Sequence, residues 1–355
     1  MNPAMVDQIV NAVLYEGYIL YPYRPSVKNR QRWTFGGLFP RAHAEAQMSG
    51  DPWFMQTEVL IRGKEDTRLS VEVRFLHLMS RLVGKLEHSL AELGGAEELA
   101  FQVVENLTVG DRLLQTWQEA TPREIILDHL DIAPLVDRPE RKQFTLPASR
   151  KIEPVRGPGG LIDAVLVREQ QSVSGRVKVV ANRMAPEIFR LQVRIENHTE
   201  LEPSGNDGRA RAVLQSLAST HTILGAEGGE FVSLIDPPDD CRGFAALCRN
   251  EGTWPVLVGK AGACDTMLSS PITLYDYPQI AAESPGDFFD ATEIDELLVL
   301  RVLTLTEEEK HAVAAVDEQA RALLERTQAL GVEQVLGLHG VVRGMRPAPV
   351  ENLHE

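Results

Sequence analysis

The chain has 355 residues, of which 43% are apolar and 25% are charged, and its formal net charge is −15. This composition is typical of a folded globular protein with two or three domain cores, and it excludes a long disordered or low-complexity chain. The acidic balance argues against sequence-independent binding to DNA or RNA, although a local basic patch would overcome it. The three cysteines cannot all pair, so we expect reduced thiols and a cytoplasmic protein.

The first segment is predicted to be a short amphipathic helix. Asn2 occupies the N-cap position, and Pro3 occupies the first helical position, where proline is well tolerated. Apolar residues follow at helical spacing, and they are Val6, Ile9, Val10, Val13 and Leu14.

An aromatic and basic segment, which we call the island, follows over residues 15–39. It contains seven of the 21 aromatic residues, and residues 17–44 contain five basic residues without one Asp or Glu. Prolines and a Gly-Gly pair interrupt it, so we predict an extended loop that lies on the body of the protein. Its short apolar run is broken by charges and prolines, so we expect neither a membrane span nor a signal peptide.

The island is also the predicted binding site. Planar guanidinium donors among rigid rings suit an anionic or aromatic partner. The predicted partner-binding residues are Tyr21, Tyr23, Arg24, Arg30, Arg32 and Trp33. The alternative is internal, because residues 283–309 contain nine acidic residues against one basic residue, and the island could dock there instead.

The next part of the chain is predicted to be rich in β-structure. Residues 69–75 alternate apolar and polar after a turn at 63–66, which predicts a β-hairpin. The segments 101–107 and 124–130 fit either a helix or a strand. Residues 134–158 contain five prolines and several charges, which indicates an interdomain connection.

The clearest β-region follows a Pro-Gly-Gly turn at 158–160. Residues 189–196 alternate strictly between apolar and polar, and together with 161–168 and 176–180 they predict three strands of an antiparallel sheet or sandwich. The elements predicted next are a helix at 209–219, a hairpin turning at 228–229, a helix at 239–250 and a strand at 254–258.

The tail is predicted to be helical from Thr306, which begins a capping box with Glu309. The predicted fold class is therefore α+β, with antiparallel β-sheet or sandwich regions, an N-terminal helix and a C-terminal helical segment. The predicted units are an N-terminal α+β domain at 1–145, a β-rich α+β domain at 155–305 and a helical tail at 306–355.

Other chemistry-bearing residues favour structural roles. Cys241 and Cys248 lie about 10 Å apart along a predicted helix, which is too far for two ligands of one tetrahedral zinc. Cys264 lacks a nearby ligand, and Asp128-His129-Leu130-Asp131 resembles a solvated strand end more than a catalytic pair. The carboxylates at 287–295 favour helix capping over a cation site. The sequence motifs of nucleotide-binding loops, hydrolase elbows and zincins are absent, so no catalytic residue, metal ligand or cofactor is assigned.

Three stretches carry a family resemblance. They are residues 15–26 with 33–37, then 252–259, then 268–279 with 285–287. In these stretches the chain resembles uncharacterised bacterial proteins encoded beside uptake nickel–iron hydrogenases and their maturation factors. The resemblance implies an accessory or assembly role in hydrogen metabolism.

The sequence therefore predicts a non-catalytic cytoplasmic accessory protein. Its expected partner is a hydrogenase subunit or a maturation factor, bound through the island, with no nucleic acid and no membrane insertion. The alternative is a metal-binding chaperone or an enzyme whose site assembles Cys, His and carboxylates that are distant in sequence. A third hypothesis is a scaffold whose helical tail forms oligomers.

Overall fold

The computed structural model of the protein describes residues 3–14, 36–46, 50–93, 99–201 and 208–279, together with scattered residues between 305 and 329. Antiparallel strands make up most of these ranges. The helices are α1 (Pro3–Leu14), α2 (Arg41–Ala46), α3 (Ile132–Asp137), α4 (Gly208–Leu214) and α5 (Asp239–Ala245). The strands are β1 (Phe54–Leu90), β2 (Gln102–Val104), β3 (Asn106–Val109), β4 (Arg112–Gln115), β5 (Trp117–Asp131), β6 (Glu140–Leu146), β7 (Ser149–Arg156), β8 (Ile162–Gln170), β9 (Val173–Ala185), β10 (Ile188–Asn197), β11 (Leu217–Val232), β12 (Trp254–Leu257) and β13 (Thr266–Ser270).

The predicted N-terminal helix is confirmed as α1. Its apolar stripe is buried because it packs on one face of the sheet, against residues of β11, β12 and β13 and the chain that follows them. The residues in this cluster are Val6, Ile9, Val10, Val13, Ile223, Val256, Val258, Leu268 and Leu274.

Strand β1 organises the sheet. It is 37 residues long, and it pairs with different neighbours along its length. Residues 60–62 of β1 pair with β10 and β11 at the same time, so these two strands lie on opposite edges of β1. Further along, β5 continues the edge that β10 occupies, and β8 continues the edge that β11 occupies. The resulting 11-stranded sheet runs β12-β13-β11-β1-β10-β9-β6 along its main path.

Two predicted hairpins are wrong, and both for the same reason. The Gly63–Arg68 segment of β1 and the Gly228–Gly229 segment of β11 are irregularities that face one another inside a continuous pairing. The Thr67 hydroxyl accepts a hydrogen bond from the Lys64 amide at 2.9 Å and donates one to the Gly228 carbonyl at 3.0 Å. The extra residues of β1 are thereby folded locally, and the strand continues in the same direction.

The main core is formed mainly by residues of β1, β5, β6, β9, β10 and β11 together with α3. Phe75, Phe189 and Phe231 are among its largest fully buried side chains, and α3 adds Ile132 and Leu135. The strands predicted at 161–168, 176–180 and 189–196 are confirmed as β8, β9 and β10. One face of β9 and β10 supplies this core.

The predicted connection at 134–158 is ordered structure. It contains most of α3 and the edge strands β6 and β7, which pair with β9 and β8. Residues of both predicted units, 1–145 and 155–305, share this sheet and core, since β1 pairs with β8, β10 and β11. The proposed boundary therefore does not coincide with a break in the sheet.

The predicted helical tail at 306–355 lies mostly outside the described residues. Among its described residues, the Lys310 amide donates to the Thr306 carbonyl at 2.9 Å, and the Ala329 amide donates to the Glu325 carbonyl at 3.0 Å. Among the helices of the described ranges, none combines the length and the apolar character that a membrane span requires.

Candidate functional site

The six partner-binding residues predicted from sequence fall outside the described ranges. Residues 15–35 are not described, so the structure gives no position for Tyr21, Tyr23, Arg24, Arg30, Arg32 and Trp33. The same holds for most of the acidic segment 283–309. The structure therefore tests neither of the two predicted arrangements, in which the island is exposed for a partner or docks on the acidic segment of the same chain.

The two ends of the undescribed part of the island are both anchored on β11. The helix α1, which precedes it, packs against Ile223. Gly36, which follows it, accepts a hydrogen bond from the Thr220 amide at 3.1 Å, and Leu38 exchanges two backbone hydrogen bonds with Leu217 at 3.0 Å. Gly36 has a φ of 54°, and a Cβ there would lie 2.5 Å from Pro271, so only glycine fits this close approach.

A patch of cations, which we call the basic face, covers the outer side of strands β6, β9 and β10. The register places Arg141 opposite Lys178, and Lys178 opposite Arg194. Side chains alternate between the two faces of a strand, so residues two apart belong to the same face. The basic face therefore consists of Arg141, Arg176, Lys178, Arg190 and Arg194.

Two buried carboxylates lie among these cations in the described strands. Glu196 accepts hydrogen bonds from Arg176 at 2.5 Å and from Arg194 at 2.9 Å. Glu58 lies 3.7 Å from an Arg190 guanidinium nitrogen. Five cations against two carboxylates leave a surplus of positive charge in a strongly acidic protein.

The surplus is concentrated on Arg141 and Lys178. Neither has a carboxylate partner within salt-bridge distance among the described residues, and Arg141 is exposed. Like charges directly opposite each other on neighbouring strands are destabilising, which makes this pair a point where a bound anion would be favourable.

Glu196 also makes the stability of this face depend on pH. Burial alone would raise the pKa of Glu196, but hydrogen bonds with His198, Arg176 and Arg194 outweigh burial and hold the pKa below its ordinary value. A carboxylate with a lowered pKa in the folded state stabilises the fold above its unfolded-state pKa. That contribution is lost as the pH falls through the folded-state pKa.

We therefore expect the Glu196→Gln variant to be less stable than the wild type at pH 7, with a difference that narrows as the pH falls from 5 towards 3. Urea denaturation at several pH values measures this difference. Glu87→Gln is the matched control, because Glu87 is exposed on β1, and its difference from wild type should stay small throughout. A Glu196→Gln difference that is constant or widens in acid would contradict the assignment.

Aromatic residues beside α2 flank the basic face. Trp53 and Phe54 meet edge-on with ring centroids 5.1 Å apart. The Arg194 guanidinium carbon lies 3.6 Å from the Phe54 centroid, and that of Arg41, on α2, lies 4.6 Å from the Trp53 centroid. Cation–π contacts of this kind hold the planar guanidinium groups against the rings.

Sequence reasoning missed this face because its members come from three separated strands. The positive surplus of residues 138–156, which contain six basic and two acidic residues, was a usable signal. The same composition also fits a linker. Arg41, two residues after the island, contacts Trp53, whose ring centroid lies 5.7 Å from the Arg194 guanidinium carbon of the basic face.

The remaining sequence candidates lie elsewhere. Cys241, on α5, is buried, and its sulfur lies 3.2 Å from an Arg62 nitrogen. Burial and the nearby Glu58 carboxylate raise the pKa of Cys248 to about 11, so this thiol stays protonated at neutral pH. Within the described ranges, no three His, Cys, Asp or Glu side chains come together as a group that could hold a metal ion.

An open groove of about 1290 Å³ gathers some of these residues on another part of the surface. Its lining includes Arg68, Asp128, His129, Cys264 and Asp265, together with glycines of β1 and β11. His129 has a φ of 56° at the end of β5, and Arg68 pairs loosely with Asp131 at 3.8 Å. The groove is thus lined by both Cys264 and the Asp128-His129 pair, and among the described residues no hydrogen bond joins Cys264 to His129 or Asp128.

Comparison with known proteins gives no family. No protein-family model matches the chain, and no curated protein matches it. One solved structure to which it shows a likeness is the secretin InvG of the Salmonella SPI-1 type III secretion injectisome, residues 176 to the end, in the open gate state. The identity is 8%, the match covers 62% of this chain and 57% of that one, and the TM-score is 0.09. This chain therefore spans less than two thirds of the length of that chain, and so low a TM-score carries no argument about fold or function.

Proposed function

We propose that this chain is a non-catalytic cytoplasmic accessory or assembly protein that binds an acidic surface of another protein. The observation that carries the proposal is the basic face, where Arg141 and Lys178 stand opposite one another without a described carboxylate partner. The resemblance of residues 15–26, 252–259 and 268–279 to proteins of hydrogenase gene clusters supports a hydrogenase subunit or maturation factor as the partner.

The basic face and the island form one binding surface in this proposal. In support, Arg41 lies two residues after the island and contacts Trp53, which also lies beside Arg194 of the basic face. Arginine and aromatic residues are enriched at protein–protein interfaces, where they supply planar donors and rigid contact area. A protein partner is favoured over nucleic acid because the chain as a whole carries a charge of −15, which would repel a phosphate backbone.

Affinity purification of the tagged chain from its native host tests the proposal. We expect charge reversal of Arg24, Arg30 and Arg32 to glutamate, and separately of Arg141 and Lys178, to reduce the recovered partner by about tenfold or more, since rim and interface charges steer and select partners. The melting temperature should change little in both variants. The control reverses Lys85 on β1 and Arg112 on β4, two exposed cations outside the basic face, and should retain the partner.

Three results would contradict this function. They are full recovery of the partner by both variants, equal loss in the control, and loss of the partner after nuclease treatment of the lysate. Metal analysis of the same purified protein addresses the alternative, because stoichiometric nickel, iron or zinc would favour a metallochaperone.

A further inference from the structure

Strand β6 ends the sheet with an open edge. Among the described residues it pairs with β9 alone, at the end of the main strand path. Other edges are protected. The Leu257 backbone on β12 bonds to Asp276 and Tyr277, and β7 carries Pro154. Proline and side-chain caps are the usual means of closing an edge, whereas β6 contains no proline and no bulge.

The register determines which backbone groups of β6 face outward. The His198 amide donates to the Ser174 carbonyl at 2.9 Å, which identifies this pair as hydrogen-bonded across β9 and β10. In an antiparallel ladder the residues alternate, so Ser174, Arg176 and Lys178 direct their backbone groups towards β10. Gly175 and Val177 then bond to β6.

On β6, the partners of those two residues are Phe144 and Lys142, and these bond inward to β9. The residues between them and beside them direct their N–H and C=O groups to the open edge. These are Arg141, Gln143 and Thr145, and their side chains lie on the same side of the sheet as the basic face.

The charge beside this edge selects one kind of occupant. Arg141 and Lys178 form a like-charge pair at the edge of the sheet, and Arg194 continues the row on β10. A strand laid against β6 would place every second side chain above this row. Carboxylates at those positions would neutralise the pair, whereas a second copy of β6 would bring another Arg141 and Lys142 to the same edge.

We propose that an extended acidic segment of the partner protein adds to β6 as a further strand. Its backbone bonds to Arg141, Gln143 and Thr145, and carboxylates at alternate positions face Arg141 and Lys178. This mode of recognition takes its affinity from backbone hydrogen bonds and its selectivity from alternate side chains. The proposed strand addition rests on the proposed function, and it specifies the chemistry and the conformation of the segment that the chain binds.

A substitution at Gln143 distinguishes the contribution of the β6 backbone hydrogen bonds to binding from that of the charged side chains. Proline at this position removes an outward N–H and leaves the hydrogen bonds of Lys142 and Phe144 to β9 in place. Alanine at the same position removes the side chain but keeps the N–H. The difference between the two variants therefore reports the backbone donor alone.

The probe is a short labelled peptide of alternating glutamate and threonine, compared with its lysine and threonine counterpart by fluorescence anisotropy. We expect the wild type to bind the acidic peptide about tenfold or more tightly than the basic one, and Gln143→Pro to bind it about tenfold more weakly than Gln143→Ala. Amide hydrogen exchange of the wild type should show peptide-dependent protection at Arg141, Gln143 and Thr145.

Several results would overturn this inference. They are equal binding of both peptides by the wild type, equal affinity of the proline and alanine variants for the acidic peptide, and no peptide-dependent protection at the three amides. The amide-exchange experiment uses the wild type, so it decides the question even when the proline variant does not fold. A wild type that is dimeric by size measurement and becomes monomeric with peptide would assign the edge to a second copy. Recovery of the native partner by Gln143→Pro but not by the Arg141 and Lys178 reversal would reject strand addition and leave the proposed function standing.

Discussion

Replacing Glu58 with alanine is expected to lower the free energy of unfolding by about 3 kcal/mol or more, since it removes the acceptor from a set of buried donors. The Glu58 side chain is almost fully buried, with a relative exposure of 4%. It accepts hydrogen bonds from the Gln192 side chain at 2.7 Å and from the Arg249 amide at 2.9 Å. Without the carboxylate, the Gln192 and Arg249 donors would remain partly buried and unpaired, and the Arg190 guanidinium would lose the carboxylate 3.7 Å away.

The backbone of Glu58 shows why the effect extends beyond the side chain. Its amide donates to the Asn250 side chain at 2.8 Å, and its carbonyl accepts from the same side chain at 3.1 Å. The loop after α5 is thus attached to β1 through Glu58, and Gln56 adds backbone pairing with Glu251. Loss of the carboxylate should loosen this loop as well as destabilise the sheet.

Urea denaturation measures the change, with Glu87→Ala as the control. Glu87 belongs to the same strand but is exposed, so its removal should cost well under about 1 kcal/mol. Equal midpoints for Glu58→Ala and Glu87→Ala would refute the view that Glu58 is the central acceptor of this network.

Strict alternation made the central strands predictable, whereas the edge strands were missed. In β9 and β10 one face enters the core, so apolar residues must alternate with polar ones, as at Phe189 and Arg190. In β6 only Phe144 is buried, and β7 has its proline on the edge. Charges and proline are compatible with an edge strand and with a linker alike, so local composition cannot separate the two.

The false hairpins have a different cause. Glycines at 63 and 228–229 are turn signals when each is considered alone. In the structure they are opposite each other, because Gly63 pairs with Gly229 and the Thr67 side chain closes the extra residues against Gly228. A glycine inside a strand pattern also indicates a bulge, and only the partner strand decides between the two readings.

The candidate site also depends on strand pairing, which local sequence patterns do not show. The island was visible in sequence because its residues are contiguous, whereas the basic face exists through the register that aligns Arg141, Lys178 and Arg194. These residues are separated by up to 53 positions, so no sequence window contains them. A shift of one residue in β6 would move Arg141 to the other side of the sheet.

The attachment of β6 to the sheet depends on Gly175, and we expect Gly175→Ala to cost about 2 to 3 kcal/mol through overpacking. A Cβ at this position would lie 2.4 Å from Cζ of Phe144 and 2.7 Å from the backbone carbonyl oxygen of Glu196. The Phe144 ring packs against Phe75 in the core, with centroids 5.9 Å apart. The ring can move only by disturbing that contact, and the carbonyl only by moving β10.

The strain should fall on β6, because it is held on one side only. We therefore expect Gly175→Ala to increase amide exchange along β6 and to weaken binding of the acidic peptide together with the loss of stability. Gly243→Ala is the matched control, since a Cβ there meets no atom within 4 Å and the position lies inside α5, where alanine is favoured over glycine by up to about 1 kcal/mol. Wild-type stability of Gly175→Ala would contradict the close packing of Phe144 over β9. Normal peptide binding despite a displaced β6 would instead place the acidic ligand away from this edge, on the rest of the basic face.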